Sequence, residues 1–243
     1  MNGVFRRIVM RLSSKLCGNS QGKIVFYHDV FRTDSMCNTA TKMTLFKGHM
    51  ESAFRSGWRC VGTTPFEDRT FQVCFDEGFR GLYECRDELI RLSIRPTVNL
   101  IVTKIGEPGY LNEKEILELK AIGFKFQSHT WSHAWLPECD DLHLKHELAD
   151  SKKWLEDLLQ DSVDEICFPR GLFSRRVCDA AVEAGYRAMM SCIPGGVKEC
   201  LIKGLFPRQL VQAVGPEEFV DLLNGAMRPF RGRYIKRQFR KEG

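Results

Sequence analysis

Asp76 and Glu77 stand side by side at the end of an apolar run, FQVCFDEGF (71–79). Adjacent like charges repel, and a carboxylate buried there needs a paired cation or a metal ion. Other apolar runs also finish in ionisable residues. His28 closes IVFYH (24–28), His129 closes KFQSH (125–129), and Arg170 follows EICFP (165–169). HTWSH (129–133) adds His133 four residues after His129. On a helical turn that spacing puts both imidazoles on one face, where they can grip one metal ion. Two histidines and one carboxylate make a three-ligand set that leaves a position open for water. Such a cation would also be the positive partner that the paired acids demand.

These residues need elements to position them. Strand-like runs fall at 24–28, 71–76, 97–102, 125–129, 165–169 and 187–192, with another within 201–211. Helical patterns lie between them. NEKEILELKAIG (112–123) has Asn112 as N-cap, Glu115 three residues on and Gly123 as the stop. Residues 143–160 repeat leucines at helical spacing, and 174–185 runs from Ser174 to Gly185. Strands alternating with helices predict an α/β fold with a parallel sheet, as a barrel or a doubly wound sheet. In such folds the carboxyl ends of the strands share one face, so the four charged ends should converge.

Composition supports one globular domain. The chain has 243 residues, 43% of them hydrophobic and 28% charged, which suits a soluble domain with a real core. No run approaches the roughly 20 apolar residues of a membrane span, and no secretory leader is expected. The ten cysteines include no CxxC pair and several sit in apolar runs, which predicts reduced thiols and a cytoplasmic location.

The net charge of +5 is uneven: +4 in residues 1–16, +6 in 228–243, and −5 between them. The expected organisation is a basic amphipathic segment at 1–22, a catalytic domain at 23–225 and a basic tail at 226–243. If helical, residues 4–16 gather Val4, Phe5, Ile8, Val9, Leu12 and Leu16 on one face with the bases largely opposite. That suits an interfacial helix, or equally a helix packed on the domain. The tail interleaves bases with Phe230, Tyr234, Ile235 and Phe239. The two ends suit an anionic membrane surface or a pyrophosphate-bearing ligand; no nucleic-acid motif accompanies them, so no nucleic acid is expected. His49, His143 and His146 read as structural. Trp131 and Trp135 suit a stacking platform for a ligand, or packing.

The order YHDV, FDEG, HTWSH, FPRG resembles the polysaccharide deacetylases (the NodB homology domain, carbohydrate esterase family 4). The resemblance runs from about residue 23 to 210. It takes in LxxLSIRPTVNLIVTKIG after FDEG, the following GYL and the GY at 185–186. It implies a distorted (β/α)7 barrel that hydrolyses a carbon–nitrogen bond, removing the N-acetyl group of an amino sugar in a glycan, a lipid-linked glycan or a surface-polysaccharide precursor. It implies Asp76 as general base and Glu77, His129 and His133 as ligands of a divalent metal, expected to be Zn2+. The circularly permuted exopolysaccharide branch carries its general-acid histidine in a YH motif near the N-terminus, which Tyr27-His28 matches. No histidine follows His146, so a C-terminal acid has no candidate. The bound cation would polarise the acetyl carbonyl and activate a water, Asp76 would take its proton, and His28 would protonate the departing amine. Arg170, Trp131 and Tyr27 are the candidates for substrate contact.

The sequence also departs from the family pattern. Glu77 replaces a ligand Asp and adds one methylene of reach. Arg170 stands where the pattern more often reads YPYG. No counterpart of the family's Asp-Trp motif is found; RAMMSC lacks both. A glycan-binding barrel without turnover is therefore the alternative function.

Overall fold

The computed structural model describes residues 3–64, 66–212 and 214–240. Helix α1 (Gly3–Cys17) leads to β1 (Lys23–Tyr27) and to a parallel pair, β2 (Val30–Phe31) and β3 (Thr41–Lys42). Then follow α2 (Met43–Arg55), β4 (Arg59–Cys60), β5 (Thr70–Glu77), α3 (Gly81–Glu84), α4 (Arg86–Arg91) and β6 (Thr97–Leu100). Next come α5 (Glu113–Ala121), β7 (Lys125–Ser128), α6 (Asp141–Lys145), a π turn (His146–Asp150), α7 (Ser151–Leu159) and β8 (Glu165–Cys167). The chain ends in α8 (Arg175–Glu183), β9 (Ala188–Met190), β10 (Leu205–Phe206), β11 (Gln209–Leu210), α9 (Pro216–Leu223) and α10 (Arg231–Gln238).

The main sheet is parallel throughout, in the order β10-β9-β8-β7-β6-β5-β1-β11, with β4 beside the start of β5. β10 and β11 lie at its opposite ends, yet only Pro207 and Arg208 separate them in the chain. The sheet therefore curls back on itself, and the broken 205–210 strand closes a seven-staved barrel. Proline has no N–H for a ladder, so Pro207 suits the break. The barrel is the expected (β/α)7 architecture.

Alternation along the strands makes two cores. Ile24, Phe26, Cys74, Cys167 and Met190 form one apolar cluster inside the barrel. Val25, Tyr27, Val73, Phe75, Val98, Leu100 and Ile166 join the larger cluster beneath the helices. Successive side chains in a strand point to opposite faces. Asp76 therefore shares the inner face with Cys74, and His28 continues the inner face of Ile24 and Phe26. Local signals position the helices as read. Asn112 and Glu115 form a capping box at α5, and Gly123 adopts φ 94° after it. The Ser174 side chain accepts from Val177 N–H at α8.

Both basic ends are folded onto the barrel domain. In α1, Met10 and Ser13 are buried, and Ser13 Oγ donates to the Ala226 carbonyl at 2.7 Å. Phe239, just after α10, packs 5.4 Å from Phe173, ring centre to ring centre. The backbone at 238–240 pairs with Phe173 in both directions. The side chains of Val4, Phe5 and Arg6, and residues 1–2 and 241–243, lie outside the described part.

Candidate active site

Asp76 ends the inner face of β5 and is buried. Its cation is supplied by the chain itself. Arg208, at the barrel seam, is fully buried and grips the carboxylate with two bonds, Nη1 to Oδ1 at 2.8 Å and Nη2 to Oδ2 at 2.9 Å. Asn99 Nδ2 donates to Oδ1 at 2.7 Å, and the Cys167 thiol reaches Oδ2 at 3.6 Å. The guanidinium is satisfied elsewhere too: Nε donates to the Ser191 carbonyl at 3.1 Å, and the Phe26 ring lies 4.2 Å away. Burial alone would raise the Asp76 carboxyl. The Arg208 charge, helped by His129, more than offsets this and holds it well below the usual carboxylate range. Of the four contacts the thiol is the weakest, so Oδ2 is the oxygen with capacity for an incoming O–H.

Glu77 is treated differently. It is the last residue of β5, and its φ of 77° turns the chain out of the strand. The next residue, Gly78, has φ 81°, and a Cβ there would lie 2.7 Å from Leu100 Cδ2. Glu77 is half-buried, and burial first, then repulsion by Asp76, raise its carboxyl to about 7, with Arg170 and Lys104 opposing weakly. Its Oε1 lies 3.9 Å from His28 Nε2. Gln212 Nε2 donates to His28 Nδ1 at 2.9 Å, which aims Nε2 at the mouth. Burial lowers the His28 pKa, against an upward pull from Asp76. Asp29 is not its orienter; it accepts from Ser35 instead.

The HTWSH segment is not a helical turn. Thr130 and His133 have φ 71° and 67°, so a tight loop, and not an i,i+4 helical face, brings the rings together at 4.9 Å between centroids. Positive φ is costly for a β-branched residue such as Thr130. Glu147, buried in the π turn, holds this loop by accepting from the Trp131 and Ser132 N–H groups at 3.0 and 2.9 Å. His129 Nδ1 donates to the Cys167 carbonyl at 2.7 Å, leaving Nε2 with a free lone pair. Burial, the largest cause in each case, lowers His129 to about 3 and His133 to about 4, so both rings are neutral donors near pH 7.

The structure thus gathers Asp76, Glu77, His28, His129 and His133 at one mouth, at the ends of β1, β5 and β7. Arg170 joins them after β8. It also has positive φ, 59°, and its guanidinium stacks 5.0 Å from Trp135, so Trp135 is its platform. Trp131 packs against His146 at 4.7 Å. Tyr27 is a correction: it is 0% exposed, and its hydroxyl bonds His49 Nδ1 at 3.0 Å, because strand alternation points it outward beneath α2. It cannot touch substrate. Arg208, Asn99, Cys167 and Gln212 went unread in the sequence. A lone Asn within TVNLIV is a usable signal; the others give none before the strands are paired.

Among the described residues, one trio of metal-type donors lies within 4.8 Å of one another: Asp76, His129 and Cys167. Arg208 already occupies the Asp76 carboxylate and touches Cys167 Sγ at 2.8 Å, and burial pushes that thiol well above its ordinary pKa. A cation there would face the guanidinium charge. The better donor chemistry is His129 Nε2, the neutral His133 ring and Glu77, a carboxylate raised by its neighbour with no ion-paired Lys or Arg of its own among the described residues. By type these donors suit a divalent metal, although Glu77, His129 and His133 do not all lie within 4.8 Å of one another.

Comparison with known proteins gives the family and the fold. The sequence profile of the polysaccharide deacetylases matches residues 64–189. YxkH of Bacillus subtilis (strain 168), named for the same family, is 24% identical over 185 residues, 71% of this chain and 64% of that protein. The matched region thus spans just under two thirds of that relative's length. Among solved structures, the Streptococcus pyogenes deacetylase PplD in complex with acetate superposes with a TM-score of 0.73 at 19% identity, over 84% of this chain and 98% of that one. IcaB from Ammonifex degensii gives 0.72 at 17% identity, over 86% and 98%. At these identities the likeness is one of fold. With its profile match covering more than half its length, this chain belongs to the polysaccharide deacetylase family.

Proposed function

We propose that this protein is a hydrolase that removes the N-acetyl group of an amino sugar in a glycan, a lipid-linked glycan or a surface-polysaccharide precursor. One observation carries the reading: an ionised buried acid, Asp76, an imidazole set across Glu77 and a pair of neutral imidazoles share one barrel mouth. Glu77, His129 and His133 would hold the metal, which we assign as Zn2+. When bound, it supplies Lewis acidity toward the acetyl carbonyl and toward water. Asp76, fixed by Arg208 and Asn99, accepts through Oδ2 the proton of the attacking water. The water oxygen bonds to the acetyl carbon as the C–N bond breaks. His28, aimed by Gln212, donates its Nε2 proton to the nitrogen, giving acetate and a free amine, and the proton that Asp76 took from water then replaces the one His28 gave. Arg170, seated on Trp135, suits an anionic group on the glycan.

The chain's ten cysteines are all unpaired, which supports a reducing compartment, the cytoplasm. No helix among the described residues is long and apolar enough to cross a membrane. A precursor carried on an anionic membrane, or through a pyrophosphate, is the form that suits the basic ends. Acetate released from N-acetylated amino-sugar oligosaccharides tests the function. It should stop on chelation and return with Zn2+, and Glu77→Gln should lose the metal. The competing reading, a glycan-binding barrel without turnover, draws on the four contacts that already fill the Asp76 carboxylate. Sugar binding without acetate release would establish it, as would a gain of activity in Glu77→Asp.

A further inference from the structure

α1 is built the wrong way round for a helix that merely covers a core. Surface helices of globular proteins bury their apolar stripe and expose their polar face. Here the packed face carries Ser13 and Ser14 beside Met10, with Ser14 Oγ donating to Asp221 at 2.7 Å. Ile8, Leu12 and Leu16, spaced by four, are instead 53%, 55% and 82% exposed. Arg7, Arg11 and Lys15 are exposed at the positions one residue earlier, about 100° round the helix. Going round α1, the order is packed face, basic stripe, apolar stripe.

We propose that this surface of α1 lies on an anionic lipid membrane. Ile8, Leu12 and Leu16 enter the boundary between headgroups and acyl chains, and Arg11 and Lys15 meet the lipid phosphates, with Arg7 beside them 4.0 Å from Glu218. Charge selects this occupant. A second copy of the chain laid on the same stripe would bring an identical basic row against this one, whereas an anionic interface complements both stripes at once. A cavity of about 260 Å3 opens beside the helix, with Arg11 and Arg55 facing Glu217 and Asp221. Its mixed sign makes a poor anion site, so the binding is assigned to the helix surface. Nothing in this inference depends on the catalytic reading.

The test uses the full chain and sedimentation with vesicles of phosphatidylcholine alone, or with about 30% phosphatidylserine, at about 0.1 M salt. The wild type should partition to the anionic vesicles. Leu12→Asp/Leu16→Asp should weaken that at least about tenfold, with an unchanged thermal midpoint because both side chains are exposed. Arg11→Glu/Lys15→Glu should weaken it by a similar factor at about 0.1 M salt and by much less at about 0.5 M. Failure of the wild type to bind overturns the inference, as does equal binding by both variants. So does a wild-type dimer in light scattering that Leu12→Asp/Leu16→Asp splits while vesicle binding persists.

Discussion

Two carboxylates one residue apart on the same strand live in opposite surroundings. Around Asp76, inside the closed barrel, the fold provides a guanidinium, an amide and a thiol. Around Glu77, at the mouth, it provides no comparably close charge, only an imidazole at 3.9 Å. Strand parity sends the first acid inward, and a left-handed turn lifts the second to the rim. The same chemical group is thus held well below its ordinary pKa in one position and raised to about 7 in the other. The contrast is one of charge: the acid with a built-in cation stays ionised, and the acid without one is the easier to protonate.

The largest way to break this contrast is Arg208→Met. Removing one partner of a buried ion pair should cost about 3–5 kcal/mol. Urea unfolding should show that loss, and Asp76→Asn added to it should cost less than the two separate changes summed. Strict additivity would mean that the pair is not coupled. Next is pH, measured on chelated protein. Asp76 has a depressed folded pKa, so the stability it contributes is present above its unfolded value and lost as pH falls through the folded one. Glu77 has a raised folded pKa, so its contribution is full below the unfolded value and lost as pH rises through about 7. Glu77→Gln should therefore gain on wild type between pH 4 and pH 8, by at most about 3 kcal/mol. No gain would place Glu77 in better company than described. The smallest effect is Cys167→Ala, which removes the weak thiol contact at a cost of about 1 kcal/mol and leaves Oδ2 open to water. Acetate release at least equal to wild type is expected; a tenfold loss would give the thiol a role of its own.

Most of the barrel was legible because periodicity and caps are local: the capping box at Asn112, the stop at Gly123 and the apolar runs all reappear as elements. The charged strand ends converged because parallel strands share one end. What was hidden depends on pairing across the chain. Arg208 meets Asp76 across 132 residues, and only barrel closure at Pro207-Arg208 brings them together. Tyr27 looked like a neighbour of His28 at the mouth, but adjacent strand residues face opposite sides. HTWSH has helical spacing, yet Glu147 and two left-handed residues bend it into a loop. At α1, periodicity marked the apolar stripe and left open whether it would face outward or pack on the domain; Ile8, Leu12 and Leu16 face outward.

The most direct test of the account is acetate release by Asp76→Asn, measured with its metal content on an N-acetylated amino-sugar oligosaccharide. The account predicts turnover lower by about 10²–10⁴-fold with the metal retained, because Asp76 moves the proton and Glu77, His129 and His133 hold the ion. A variant that keeps wild-type turnover, or loses its metal along with its activity, would contradict that division of labour.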